Sequence, residues 1–222
     1  MTPIVKICGL STAATLDAAL ESGADMVGFV FFSKSPRHID WATAGALGRQ
    51  ARGRATIVAL SVDADDDTLK HIVDALAPDL MQLHGSETPA RVKEIRELFG
   101  RPTIKAIGVA THGDLAAAQT YEGVADHLLI DAKPPKGAAL PGGNGRPFDW
   151  SLTRKFRPSL PWLLSGGLDP DTVEAAIALS GARGVDVSSG VESAPGVKDP
   201  ARIRAFVAAA RRAFARYAVG VE

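Results

Sequence analysis

The sequence is expected to fold as one α/β domain over residues 1–222, a single (β/α)8 barrel with a phosphate site after its seventh and eighth strands. Three observations carry this. Short β-branched or Leu-rich runs alternate with amphipathic stretches from one end to the other. They recur at a spacing of roughly 25–30 residues, which suits compact βα units, and the length lies near the low end of the range for such barrels. The turn after the first strand, Cys8-Gly9-Leu10-Ser11, lacks the Gly-rich fingerprint that an open doubly wound sheet would place there.

The strands are expected at Pro3–Cys8, Met26–Phe32, Thr56–Val62, Leu80–His84, Thr103–Val109, His127–Asp131, Trp162–Ser165 and Gly184–Val187, each stopping at Gly, Pro or a polar residue. Eight helices should alternate with them. Ala13–Ser22 and Ala42–Ala51 are Ala-rich and close on Gly23 and Gly53. Asp66–Leu76 sets Leu69, Ile72, Val73 and Leu76 on one side, with acids at the N-terminus that suit the helix dipole. Thr88-Pro89 reads as a cap followed by proline at the first helical position, opening a helix to about Phe99. Asp169-Pro170 repeats the device before Thr172–Ser180, and Asp199-Pro200 does so before a last helix to about Tyr217.

Composition excludes several classes. The chain has 222 residues, with 25 basic against 25 acidic side chains and no basic block, so nothing in it marks a nucleic-acid partner. One cysteine rules out an internal disulfide and a Cys-rich zinc site. His38, His84 and His127 are scattered, so no metal site is expected. No apolar run approaches the ~18 residues of a membrane span, and the N-terminus lacks a signal-peptide pattern, so a soluble cytoplasmic protein is expected. Oligomeric state is not legible, because a helix face apolar enough to pair looks like one packed on the barrel. Arg211, Arg212 and Arg216 read as a solvated helix face.

Barrel active sites lie at the C-terminal ends of the strands. Strand alternation puts Lys6 and Cys8 on one face, Gln82 with His84 opposite Met81 and Leu83, and Asp186 with Ser188 opposite Val185 and Val187. The apolar sets should face the helices and the polar sets the barrel axis, where a ligand explains them better than packing does. Ser165-Gly166-Gly167 and Ser188-Ser189-Gly190 end the seventh and eighth strands. Glycine lets backbone approach closely, and consecutive N–H groups form an anion cradle. Two such loops at these two strands point to a phosphate rather than to ordinary turns.

Asp131 ends the sixth strand ahead of a Gly/Pro-rich loop, Pro134–Pro147, that could cover the mouth. It is either a turn-former or a general acid, since desolvation favours the neutral form of a carboxyl. Arg37, after Ser35-Pro36, is either a solvated surface side chain or a fork for a carboxylate. Cys8 is either an inert buried thiol or a tuned base.

With these residues in place, the chain resembles the phosphoribosylanthranilate isomerases of tryptophan biosynthesis, which are TIM barrels, from Lys6 to the last helix. The resemblance rests on Lys6-Ile7-Cys8-Gly9-Leu10, Ser35-Pro36-Arg37, Gln82-Leu83-His84-Gly85, Leu129-Ile130-Asp131, Gly142-Gly143-Asn144-Gly145 with Phe148-Asp149-Trp150, Ser165-Gly166-Gly167-Leu168, and Asp186-Val187-Ser188-Ser189-Gly190-Val191-Glu192. Asn144 stands where the family more often has Thr. The resemblance implies a small phosphosugar substrate and an Amadori rearrangement of N-(5-phosphoribosyl)anthranilate. It implies Cys8 as general base, Asp131 as general acid and Arg37 on the anthranilate carboxylate. The loops after strands seven and eight would hold the phosphate, with His84 and Asp186 lining the pocket. An iminium nitrogen serves as electron sink in this chemistry, so it requires neither metal nor organic cofactor. An ordinary thiol, pKa about 8.5, is mostly protonated at neutral pH, and Lys6 is the neighbour expected to favour the thiolate.

Rival readings fit less well. Indole-3-glycerol phosphate synthase would be expected to use a catalytic lysine and glutamates, and a histidine-pathway isomerase an aspartate in place of Cys8. A non-catalytic phosphosugar sensor would need the glycine loops but not both Cys8 and Asp131.

Overall fold

The computed structural model describes residues 2–134, 137, 142 and 147–218. Eight parallel strands close into a barrel in chain order: β1 (Ile4–Cys8), β2 (Met26–Phe31), β3 (Thr56–Ser61), β4 (Leu80–Leu83), β5 (Thr103–Val109), β6 (His127–Ala132), β7 (Trp162–Leu164) and β8 (Gly184–Val187). The register sets Lys6 beside Asp186 and Cys8 beside Gly28.

Alternation sorts the side chains into two cores. Val5, Ile7, Val27, Phe29, Met81, Leu83, Val185 and Val187 point outward and pack on the helices. Inside, Met26, Val58, Leu80, Ile104, Ala106, Leu129 and Leu163 form an apolar plug. Lys6, Gln82, Asp131 and Asp186 are buried polar exceptions to that apolar interior. Lys6, Gln82 and Asp186 therefore face inward, as the alternation predicts.

The helices are α1 (Ala13–Glu21), α2 (Trp41–Ala51), α3 (Asp66–Leu76), α4 (Pro89–Phe99), α5 (His112–Gln119), α6 (Val173–Ser180) and α7 (Pro200–Ala218). The expected eight are therefore seven among the described residues. Between β6 and β7 a short 3-10 turn, Trp150–Thr153, takes the remaining place. The expected pattern omitted α5, whose Ala-rich sequence is weakly amphipathic. Its start is nonetheless marked by Asp114, whose carboxylate accepts the N–H groups of Ala110 and Thr111. Helix α6 begins later than expected. The Asp169 carboxylate accepts from the N–H groups of Asp171 and Thr172, capping a turn that precedes the helix. A small antiparallel hairpin after β8, β9 (Glu192–Ala194) with β10 (Val197–Lys198), was also not anticipated.

At the opposite, N-terminal face of the barrel one device recurs three times. Asp25, Asp79 and Asp126 stand immediately before β2, β4 and β6, and each carboxylate accepts a backbone N–H of the preceding strand, at Val5 (2.6 Å), Ile57 (2.8 Å) and Thr103 (2.8 Å). An arginine meets each from outside: Arg211, Arg52 and Arg96, at 2.7, 3.3 and 3.0 Å. Arg211 also donates to the carbonyls of Pro3 and Gly23, so it ties α7 under the barrel rather than lying free on a solvated face. Arg212 and Arg216 both pair with Glu174. No helix of the described residues is long and apolar enough to cross a membrane.

Candidate active site

Cys8 is the last residue of β1 and is buried, with Lys6 one inward position below it. The room for both comes from the next strand. A Cβ on Gly28 would stand 2.9 Å from Cys8 Sγ and 3.3 Å from Lys6 Nζ. Lys6 is fully buried, donates to Asp186 Oδ1 at 2.6 Å and stands close enough to the Cys8 thiol for its charge to act on it. Asp186 Oδ2 in turn takes the Ser165 hydroxyl at 3.3 Å. Burial pushes the Cys8 thiol above its ordinary value, and the opposing pull of Lys6 and Lys198 does not cancel it. Burial also pulls the Lys6 ammonium down, but Asp186 and Cys8 more than offset this and leave it raised. Lys6 thus acts on the thiol in the expected direction without making the thiolate the resting form.

Across the barrel, Asp131 is buried at the end of β6. Its Oδ1 accepts the N–H of Ala132 at 2.8 Å, and its Oδ2 lies 3.3 Å from His84 Nε2. The other ring nitrogen of His84, Nδ1, lies 2.9 Å from Gln82 Nε2. Gly142 rests directly on this pair, since a Cβ there would run into His84 Nε2 and Asp131 Oδ2. Most of the Pro134–Pro147 loop expected to cover the mouth, including Gly143, Asn144 and Gly145, lies outside the described residues.

The two glycine loops sit side by side. Gly166 and Gly167 both adopt positive φ (84° and 70°), a conformation that spares them the Cβ penalty. Gly190 approaches the Leu168 carbonyl so closely that no side chain would fit. Among the described residues the N–H groups of Gly166, Gly167, Ser189 and Gly190 meet no acceptor. Ser165 differs from the other expected cradle residues: its hydroxyl turns to Asp186 and its N–H donates to the Ile130 carbonyl at 2.8 Å, so both of its donors are engaged. Ser188 is also engaged, with Lys198 Nζ on its Oγ at 3.2 Å and on its carbonyl at 3.1 Å.

Arg37 is buried, not solvated. Its Nε and Nη2 donate to the two oxygens of Glu192 at 2.7 and 2.9 Å. Glu192 takes a further charge from Lys198 at 2.5 Å. Gly9, between Cys8 and these groups, would carry its Cβ 2.8 Å from Arg37 Cδ and 3.2 Å from Ser188 Oγ. The base candidate, the arginine and the eighth-strand loop therefore meet at one place.

The family described as N-(5'-phosphoribosyl)anthranilate (PRA) isomerase matches residues 5–209. A relative of that name from Nitrobacter hamburgensis is 61% identical over 213 residues, 96% of this chain and 95% of its own. The chain belongs to the N-(5'-phosphoribosyl)anthranilate isomerase family. A second isomerase so named, from Rhodopseudomonas palustris, is 60% identical, covering 93% of this chain and 95% of its own. Among solved structures, the phosphoribosyl anthranilate isomerase of Thermotoga maritima superposes with a TM-score of 0.85 at 34% identity, covering 96% of this chain and all of the other. Another isomerase structure, at 33% identity and a TM-score of 0.82 over 96% of this chain and all of its own, is a complex with reduced 1-(o-carboxyphenylamino)-1-deoxyribulose 5-phosphate.

Several residues of this candidate site escaped the sequence reading. Glu192 was visible only as the end of a motif, and Lys198 carried no signal. It reaches the site because the β9–β10 hairpin folds back on itself. Gly28 resembled any strand glycine, and only the register reveals what it leaves room for.

Proposed function

We propose that this isomerase opens and rearranges N-(5-phosphoribosyl)anthranilate to 1-(2-carboxyphenylamino)-1-deoxyribulose 5-phosphate, with Asp131 as general acid and Cys8 as general base. The observation that carries the reading is the burial of one thiol and one carboxyl at the ends of β1 and β6, both in the same barrel mouth. The protonated Asp131 carboxyl gives its proton to the furanose oxygen, the C1–O bond breaks, and the nitrogen lone pair forms the iminium. The Cys8 thiolate takes the proton from C2, and the C–H electrons move through C1 to the nitrogen. The enolamine then gains a proton at C1 and loses its hydroxyl proton to become the ketone.

Cys8 is a thiol at rest, and the cation forming on the iminium adds to Lys6 in favouring the thiolate when it is needed. The N–H groups of Gly166, Gly167, Ser189 and Gly190, which meet no acceptor among the described residues, suit the phosphate, with Ser188 held beside them by Lys198. The Arg37 guanidinium, buried and oriented by Glu192 next to Gly9, suits the anthranilate carboxylate. Holding both ends of the substrate fixes the sugar between acid and base. Asp186 acts from below, keeping Lys6 in place. A required free thiol suits the reducing cytoplasm, where we place the enzyme.

The test is a fluorescence assay on freshly made substrate. Cys8→Ser and Asp131→Asn should each lower kcat by orders of magnitude while product binding survives. Near-full kcat in either variant overturns that residue's role, and no turnover by the unaltered protein overturns the whole reading.

A further inference from the structure

Gln82 has no part in the scheme above, yet its side chain is fully buried on the inner face of β4. Its Oε1 meets no partner among the described residues. A methionine would fill similar space without stranding an oxygen, so the carboxamide adds no stability of its own. Among the described residues its one side-chain polar contact is the 2.9 Å approach of Nε2 to His84 Nδ1. An amide nitrogen offers only hydrogens, so Nδ1 accepts, and a neutral ring then carries its proton on Nε2. That is the nitrogen 3.3 Å from Asp131 Oδ2.

We propose that Gln82 is a positioning residue that fixes His84 as the Nε2–H tautomer, so that an N–H faces Asp131 as its carboxyl releases the proton. The inference rests on the reading of Asp131 as the acid. The carboxylate left behind is a stronger acceptor than the carboxyl. The contact with Nε2–H therefore strengthens as the proton moves to the sugar oxygen, and the barrier falls. With the amide reversed, Oε1 would take an Nδ1–H and a ring lone pair would face Asp131, which would hold the proton back.

Gln82→Met and Gln82→Glu test this. The first removes the donor at Nδ1, and the second replaces it with an acceptor. Gln82→Met should melt at or above the temperature of the unaltered enzyme and keep KM within two-fold. Its kcat should fall by roughly the 10–100-fold that losing a histidine's orienting partner costs at metal sites. Spectra of 15N-histidine-labelled protein, with His84 assigned by its loss in His84→Asn, should show Nε2–H in the unaltered enzyme. They should show a mixture in Gln82→Met and Nδ1–H in Gln82→Glu, which should also lose kcat. A kcat within two-fold of the unaltered value in either variant, or an Nδ1–H tautomer in the unaltered enzyme, overturns the proposal. If Gln82→Met fails to fold, Gln82→Glu alone decides. Asp131→Asn separates the two readings. If it keeps kcat, the acid assignment fails. If it loses kcat while Gln82→Met keeps it, only the present inference fails.

Discussion

Arg37 and Glu192, 155 residues apart in sequence, meet as two parallel forks, Nε to Oε1 at 2.7 Å and Nη2 to Oε2 at 2.9 Å. The pair holds the guanidinium plane in one orientation, and Lys198 shares the glutamate. Glu192→Gln should leave Arg37 present but loosely aimed. KM should rise roughly ten-fold, short of the 10²-fold cost of a 1 Å misplacement, with a smaller change in kcat. An unchanged KM would show that Glu192 does not aim the arginine.

The same carboxyl carries an acid-stability prediction. Burial pushes Glu192 up, but Arg37 and Lys198 more than offset this and hold it below its ordinary value. Its contribution to stability is therefore complete above the unfolded value of about 4.3 and is lost as pH falls through the lower folded value. Urea unfolding between neutral and acid pH should show a steeper fall for the unaltered enzyme than for Glu192→Gln. Parallel curves would contradict it.

Cys8 predicts the opposite limb. Its thiol is raised by burial, so the folded state keeps a proton that the unfolded chain releases at alkaline pH. Stability should then fall as pH rises above the ordinary thiol value of about 8.5, and Cys8→Ala should remove that part of the fall. Alkylation of Cys8 should titrate above the same value. In Lys6→Met the midpoint should move higher still, because the cation opposing burial is gone. That variant strands Asp186 and should lose about 3–5 kcal/mol, so the titration is run well below its Tm. An unmoved midpoint would show that the charge of Lys6 is spent wholly on Asp186.

Gly28→Ala places a methyl 2.9 Å from Cys8 Sγ. Overpacking of this kind costs about 1–3 kcal/mol, and the thiol has to shift. The expected result is a moderate drop in Tm and a kcat loss of roughly ten-fold or more, since placement of the base sets the rate. Wild-type kcat with a lowered Tm would separate packing from catalysis at this position.

The aspartates under the barrel should behave in the reverse way. Asp79→Ala leaves the Ile57 N–H without its acceptor and should cost about 1–3 kcal/mol in stability. Its kcat should be unchanged, because the N-terminal face of such a barrel carries stability, not chemistry. A kcat effect beyond two-fold at 25 °C would refute that division.

Much of this was legible in the chain. The strand runs and helix caps are local signals: Thr88-Pro89 and Asp199-Pro200 start α4 and α7 where expected, because capping chemistry acts within a few residues. Alternation is equally local, so the inward set Lys6, Gln82 and Asp186 could be named from the sequence. Helix α5 was overlooked because its Ala-rich face has little amphipathic contrast, although Thr111 and Asp114 marked its start.

What the sequence determined by itself, then, was the barrel, its order and the side chains turned to its axis, since periods of two and 3.6 residues are properties of short stretches. Tertiary structure alone decided which of those side chains meet. Lys6 reaches Asp186 across 180 positions, Arg37 reaches Glu192 across 155, and Gly28 makes room for Cys8. Each depends on barrel closure, strand register or the return path of a loop. Charge and contact act through space over a few ångströms, and no local pattern records which distant residue will stand there.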